Sequence, residues 1–404
     1  TVHGTYAFRA TSFHETEYFW QKDGEWLRLD MPLKAAPYGL IDGQLLFSTD
    51  VDWETQGQTF PADALISVDL EEFKADPNGA TKTLVWAPEA KQTKQGAANT
   101  AESLYVSLLD NVRGRVLKFD YVDGKWVSTE IALPDNSTLG VAAASDGSDE
   151  IMYSVTDFLT PSTLYYSDGS GAPEVIKTSP SNFDAAGMEV EQFEATSADG
   201  TKIPYFLVKP KGMVMDGTNP TLLTGYGGFQ VPRLPSYLGS IGKIWAERGG
   251  AYILGNMRGG GEFGPNWHQS AQGQNRQRAH EDFQAVALDL IERGITSQPH
   301  LGIMGGSQGG LFMGAMLTQR PDLINAAVIQ VPLFDMLRFH KLLAGASWIA
   351  EYGNPDIAEE REWIAAYSPY QNLRAGQPYP EVFIHTSTKD DRVHPGHARK
   401  AAAR

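Results

Sequence analysis

Over the first 180 or so residues, apolar and polar positions alternate in short runs. Thr5-Tyr6-Ala7-Phe8, Tyr18-Phe19-Trp20, Leu65-Ile66-Ser67-Val68, Val116-Leu117-Lys118-Phe119 and Ile151-Met152-Tyr153-Ser154-Val155 are rich in β-branched and aromatic residues, which suit a pleated, half-buried surface. Turn signals such as Lys22-Asp23-Gly24 and Val122-Asp123-Gly124 separate such runs. There is no strict repeat. The spacing suits β-propeller blades, and at roughly 45 residues per blade the stretch holds about four, an incomplete ring with unpaired strand edges.

Near Ser179 to Asp184 a Ser/Pro/Asn-rich link interrupts this pattern. Beyond the strand expected at Val190 to Thr196, strands and helices alternate: Thr221 to Thr224, Ala251 to Leu254, a long helix around Phe283 to Ile291, then Leu301 to Met304. A second helix carries Leu311, Phe312, Ala315 and Met316 at helical spacing until Pro321 stops it. That alternation predicts a doubly wound, mostly parallel sheet with helices on both faces. The expected division is therefore a partial β-propeller over 1–181 and an α/β domain over 182–404.

Between the last of these strands and its helix lies Gly305-Gly306-Ser307-Gln308-Gly309, which fits the G-x-S-x-G pattern of a nucleophile elbow. Glycine is needed on both sides because the serine sits in a strained turn whose neighbours approach too closely for a Cβ. The bland alternative is a glycine-rich strand-to-helix turn that only packs or holds an anion; with the flanking strand and helix both present, the nucleophile reading is favoured.

A serine nucleophile needs a base, an orienting acid and an oxyanion hole. The strand Val382-Phe383-Ile384-His385-Thr386 runs into Ser387-Thr388-Lys389-Asp390-Asp391-Arg392-Val393, and an acid after a later strand stands where the orienting carboxylate belongs. Adjacent aspartates are also common in ordinary turns, so spacing alone leaves that assignment open.

Five segments together resemble the prolyl oligopeptidase family of serine peptidases: Tyr226-Gly227-Gly228-Phe229, Arg258 to Gly264, Gly305 to Gly310, Trp348 to Gly353 and Asp390-Asp391-Arg392-Val393. They occur in the family's order and at similar spacing, densely from about Asn182 onward. The resemblance implies an α/β-hydrolase domain preceded by part of a β-propeller. It makes Ser307 the nucleophile, Asp390 the orienting acid, and the Gln308 backbone N–H with the Tyr226 phenol the oxyanion donors. The family usually has asparagine where this chain has Gln308; because the donor is the backbone, little consequence is expected. For substrate, it implies that Trp348 stacks on a proline ring, that Phe229, Leu333, Tyr352 and Val393 form the walls, and that Arg392 binds the carbonyl before the proline. Leu333 stands where the family often has a smaller aliphatic residue. Trp348 and Tyr352, four apart, are expected to share one face of a helix.

None of the nine histidines, from His3 to His397, occupies the position of the family's catalytic histidine, which lies a few dozen residues after the acid. His394 and His397 are too near Asp390 along the chain to swing onto Ser307, and capping or surface roles are expected for them. The expectation is a fragment: it opens at Thr1 without methionine and ends at Arg404 in a helix without a stop signal, before the catalytic histidine, and so is inactive alone. Localisation, cytoplasmic or periplasmic, is not legible.

Composition narrows the classes. A net charge of −16 and a pI near 5.0, with no basic run, argue against nucleic acid, and no apolar stretch approaches the length of a membrane span. Zero cysteines exclude disulfides and a thiol nucleophile. No metal or cofactor is expected; Asp146 to Glu150 lacks the spacing of a calcium loop and reads as a turn. The expected partners are short, proline-containing peptides, with oligomeric state open. A related oligopeptidase or acylaminoacyl peptidase, and a non-catalytic peptide-binding protein of the same fold, are the alternatives.

Overall fold

The computed structural model describes residues 4–134 and 137–404; Thr1 and His3 lie outside the described residues. The chain divides into two compact units. One comprises residues up to Pro180 with Leu234–Tyr237 and Phe263–Asn266, and the other Ser181–Arg233, Leu238–Glu262 and Trp267–Arg404.

The first unit is antiparallel β-structure. A three-stranded sheet (Tyr6–Ala10, Thr16–Lys22, Glu25–Arg28) is followed by a four-stranded sheet that starts at Ala35–Ile41 and ends at Thr83–Trp86. Two more four-stranded sheets span Gln92–Asn99 to Lys125–Glu130 and Thr138–Ala144 to Glu174–Thr178. Two-residue loops at Asp23-Gly24, Asp42-Gly43 and Asp123-Gly124 have positive φ at both positions, the geometry whose twist matches the flanking strands. The period-2 pattern explains the core. In the strand Ser103–Asp110, buried up to Leu109, Leu104 and Val106 pack with Leu46 and Leu65 of the preceding sheet, whereas Tyr105 packs with Ile151 and Tyr153 of the following one. The sheet that contains this strand is thus apolar on both faces because it packs against the sheets before and after it.

The second unit is built on a seven-stranded sheet: β1 (Met188–Thr196), β2 (Lys202–Pro210), β3 (Thr221–Thr224), β4 (Ala251–Gly255), β5 (Leu301–Gly306), β6 (Ala326–Gln330) and β7 (Glu381–His385). Their order is β1-β2-β4-β3-β5-β6-β7. β1, β2 and β4 pair antiparallel in succession, and every pair from β4 to β7 is parallel. Two helices matter most for the site: α1 (Arg276–Glu292) and α2 (Gln308–Gln319). Phe283, Val286 and Leu290 of α1 and Phe312 and Met316 of α2 bury against Leu223, Ile253, Ile303 and Ile329 of the central strands. The parallel strands therefore end on one edge, where the loops after β3, β5 and β7 deliver Tyr226, Ser307 and Asp390.

Candidate active site

Ser307 joins β5 to α2 with φ 57° and ψ −117°, a conformation costly for a residue with a Cβ and held only when the surroundings over-determine it. Its N–H donates to the Gln330 carbonyl at the end of β6 (2.9 Å), and its own carbonyl accepts from Leu311 (3.2 Å) and Leu333 (3.4 Å). The flanking glycines are required by space. A Cβ on Gly305 would stand 2.6 Å from the Gly309 carbonyl oxygen, and one on Gly309 would stand 2.8 Å from that of Gly225. The helix begins at Gln308, so its first N–H groups lack intrahelical acceptors and face the serine side of the turn.

From the loop after β3, the Tyr226 phenol makes a side-chain hydrogen bond with Ser307. Burial raises the Tyr226 pKa, opposed by that bond and by the positive charge of Arg392, so the phenol stays a donor at neutral pH. Asp390, after β7, turns its Oδ1 to the backbone N–H groups of Arg392 (3.1 Å) and Val393 (2.9 Å).

Leu333, Trp348, Tyr352 and Val393 lie in one buried cluster, with Phe229 packed on it. The Phe229 ring meets Trp348 edge-on at 6.5 Å and Tyr352 at 5.6 Å between centroids. The segment is not one helix: Trp348 closes a 3₁₀ stretch (Leu343–Trp348), and Tyr352 ends a single α-turn (Ile349–Tyr352) capped by Gly353 at φ 93°. Arg392 is exposed.

The Gln308 side chain is more than a spacer. Its Oε1 accepts the Tyr352 hydroxyl and its Nε2 reaches the Gly227 carbonyl at 3.4 Å. Sequence reasoning also missed a buried group beneath the loop, Arg276, His268 and Glu351. Glu351 accepts the Phe229 N–H (2.9 Å) and contacts His268 Nε2 (2.7 Å) and the Arg276 guanidinium. A helix rich in charge reads as a solvated face; the available signal was a carboxylate placed between two pocket aromatics.

The histidines are held elsewhere. His280 lies between Phe312 and Tyr367, at 4.8 and 5.4 Å between ring centroids, with burial and then the Arg276 charge pulling its pKa down to about 3. His340 faces Asp356 at 3.1 Å. His394 Nδ1 accepts the Gly396 N–H (2.9 Å), a local cap. His397 Nδ1 accepts the N–H groups of Phe334 (3.2 Å) and Asp335 (3.0 Å), and burial lowers its pKa to about 4. Among the described residues no histidine hydrogen-bonds Ser307.

The chain matches two family models: the prolyl oligopeptidase N-terminal β-propeller domain over residues 22–179 and the prolyl oligopeptidase family over residues 237–404. It is 48% identical over 403 residues to an uncharacterized peptidase of Sinorhizobium fredii, covering 98% of this chain and 56% of the relative. It is 37% identical over 333 residues to a prolyl endopeptidase of Elizabethkingia miricola, covering 80% of this chain and 47% of the relative. A solved structure of a post-proline cleaving enzyme from Rickettsia typhi superimposes with a TM-score of 0.92 at 34% identity, over 98% of this chain and 58% of that one. The chain thus spans about half the length of the curated relatives it matches. Both folds expected from the sequence, propeller blades and an α/β-hydrolase sheet, are those of these relatives, and the chain belongs to the prolyl oligopeptidase family.

Proposed function

We propose that the chain carries the acyl-enzyme machinery of a serine peptidase that cleaves short peptides on the carboxyl side of proline. Ser307 Oγ attacks the scissile carbonyl, and a histidine outside these 404 residues takes the serine proton. Asp390 Oδ2 orients that histidine. The oxyanion is held by the Tyr226 phenol and the Gln308 N–H, and collapse expels the amine, which leaves with the proton from the histidine. Water then hydrolyses the ester. The observation that carries the reading is the strained Ser307 turn hydrogen-bonded to Tyr226, since it places a phenol donor beside the attacking oxygen. The similarity to the post-proline cleaving enzyme of Rickettsia typhi and the prolyl endopeptidase of Elizabethkingia miricola supports a proline preference. So does the surround of Trp348, Phe229, Tyr352, Leu333 and Val393, flat and apolar as a pyrrolidine ring requires; Arg392 is assigned in this proposal to bind the preceding carbonyl.

The histidine environments favour one second reading, a peptide-binding protein without turnover. Hydrolysis of a proline-containing chromogenic peptide separates the two when compared between the 404-residue chain, a longer polypeptide that includes the proposed histidine, and its Ser307→Ala variant. Under the proposal the longer polypeptide turns over and both others are slower by several orders of magnitude. Equal activity in the 404-residue chain removes the external histidine; saturable binding without turnover in all three supports the binding reading.

A further inference from the structure

The loop that carries Tyr226 is strained in its own right. Gly227, Phe229 and Gln230 have φ of 54°, 57° and 58°, two of them residues with a Cβ, and such geometry persists only where the surroundings impose it. Beneath it lies a fully buried ion pair. The Arg276 guanidinium donates to the Gly227 carbonyl (2.7 Å) and to Glu351, and its central carbon lies over the Tyr352 ring, 5.3 Å from the centroid. Glu351 in turn accepts the Phe229 N–H at 2.9 Å and faces His268 at 2.7 Å. Arg276 is 0% and Glu351 1% exposed.

An ion pair buried this deeply is a poor source of stability, because desolvation offsets most of the attraction. What this pair does have is geometry. Its two members come from α1 and from the Trp348–Tyr352 segment, and each grips a different peptide group of the same turn, on either side of Gly228. The Gly227 carbonyl also takes the Gln308 side chain, the residue after the nucleophile. Phe229 stands on one side of the gripped turn and Tyr226 on the other.

We propose that the buried Arg276–Glu351 pair is the positioning element of the proposed reaction: it fixes the 226–230 turn so that the Tyr226 phenol stays on Ser307 and the Phe229 ring stays against Trp348 and Tyr352. This rests on the peptidase reading for its catalytic consequence, and on the loop geometry for its structural one. Neither residue touches substrate. The role they share is to place one donor used by every substrate and one wall used chiefly by proline.

The test uses Glu351→Gln, which keeps an acceptor for the Phe229 N–H, and Arg276→Lys, which keeps the charge but not both guanidinium contacts. Amide exchange over 226–230 is measured beside that of strand β5, which reports the core, and kcat and KM are measured for matched proline and alanine peptides. Exchange over 226–230 should rise roughly tenfold or more in both variants with β5 unchanged. In the full enzyme kcat should fall about 10- to 100-fold for both peptides, with KM rising for the proline peptide alone. Glu351→Ala is the harsher control; if it or Glu351→Gln fails to fold, Arg276→Lys decides. Unchanged exchange over 226–230 overturns the positioning role even where the wild type turns over. A wild type without turnover overturns the peptidase reading, and the exchange comparison still decides whether the pair fixes the loop.

Discussion

Tyr352, wholly buried beneath the pocket, donates its hydroxyl to the side-chain carbonyl of Gln308, the residue immediately after the elbow serine. The Gln308 side chain is itself inaccessible and spans from that hydroxyl to the Gly227 carbonyl. The oxyanion turn and the pocket floor are therefore one hydrogen-bonded unit. Replacing Tyr352 with phenylalanine leaves a buried carbonyl without its donor, which costs about 1–3 kcal/mol. Urea unfolding should show that loss as a lowered midpoint with an unchanged slope, whereas an unshifted midpoint would mean that water replaces the hydroxyl. Gln308→Asn, one methylene shorter, should lose a similar amount, so the glutamine is of more consequence than its backbone role alone implies.

Removing the Tyr226 hydroxyl tests the oxyanion assignment. Tyr226→Phe keeps the ring and deletes the hydroxyl that hydrogen-bonds with Ser307. The loss should fall on kcat, by about 10²–10³-fold, with KM nearly unchanged, because the hydrogen bond strengthens only as charge develops on the oxygen. The raised Tyr226 pKa adds a sign. Phenol ionisation lies above the usual tyrosine range, so any alkaline loss due to Tyr226 begins there and is missing from the variant's pH profile. A kcat equal to wild type assigns Tyr226 to packing.

Trp348→Ala removes one flat face from the Phe229–Trp348–Tyr352 arrangement and opens a void. For proline substrates this should cost a few kcal/mol of transition-state binding. Alanine substrates, which use that face poorly, should lose less. The ratio of kcat/KM for matched proline and alanine peptides therefore falls in the variant, and equal losses would make Trp348 core packing alone.

Local pattern made part of the fold and of the candidate site legible. The elbow announces itself through glycines whose Cβ atoms would collide with backbone, and the strands through alternation that burial then enforces. The aromatics at 229, 348 and 352 were legible only through the family resemblance. What stayed hidden was polar and non-local. Glu351 and Arg276 are 75 residues apart in the chain, so no window of sequence contains both, and the one local cue was the carboxylate between Trp348 and Tyr352. The start of α1 was hidden for the same reason. Arg276 to Asp282 reads as a polar stretch, yet Arg276, Ala279, His280 and Asp282 are buried, with Asp282 bound by the Arg258 guanidinium at 2.6 Å. The break before Ile349 escaped because a 3₁₀ turn and an α-turn place Trp348 and Tyr352 on much the same side.

Glu262 gives the pH prediction. It is completely buried, with Oε1 accepting the Arg233 N–H (2.8 Å) and an Asn256 amide contact at 3.4 Å, while Oε2 has no hydrogen-bond partner among the described residues. Burial pushes its pKa up from 4.5 to about 7, against the hydrogen bonds and the Arg233 charge that favour the anion. The native state thus binds this proton more tightly than the unfolded chain. Its contribution to stability is fully present below about pH 4.5 and is lost as pH rises through about 7, a difference of roughly 3 kcal/mol across that window. Glu262→Gln, which cannot ionise, should flatten this part of the stability curve. Urea midpoints measured at pH 5 and pH 8 should therefore differ less in the variant than in the wild type, with the variant gaining relative stability at the higher pH. Parallel curves for the two proteins would show that Glu262 does not change its charge on folding and that Oε2 finds a donor.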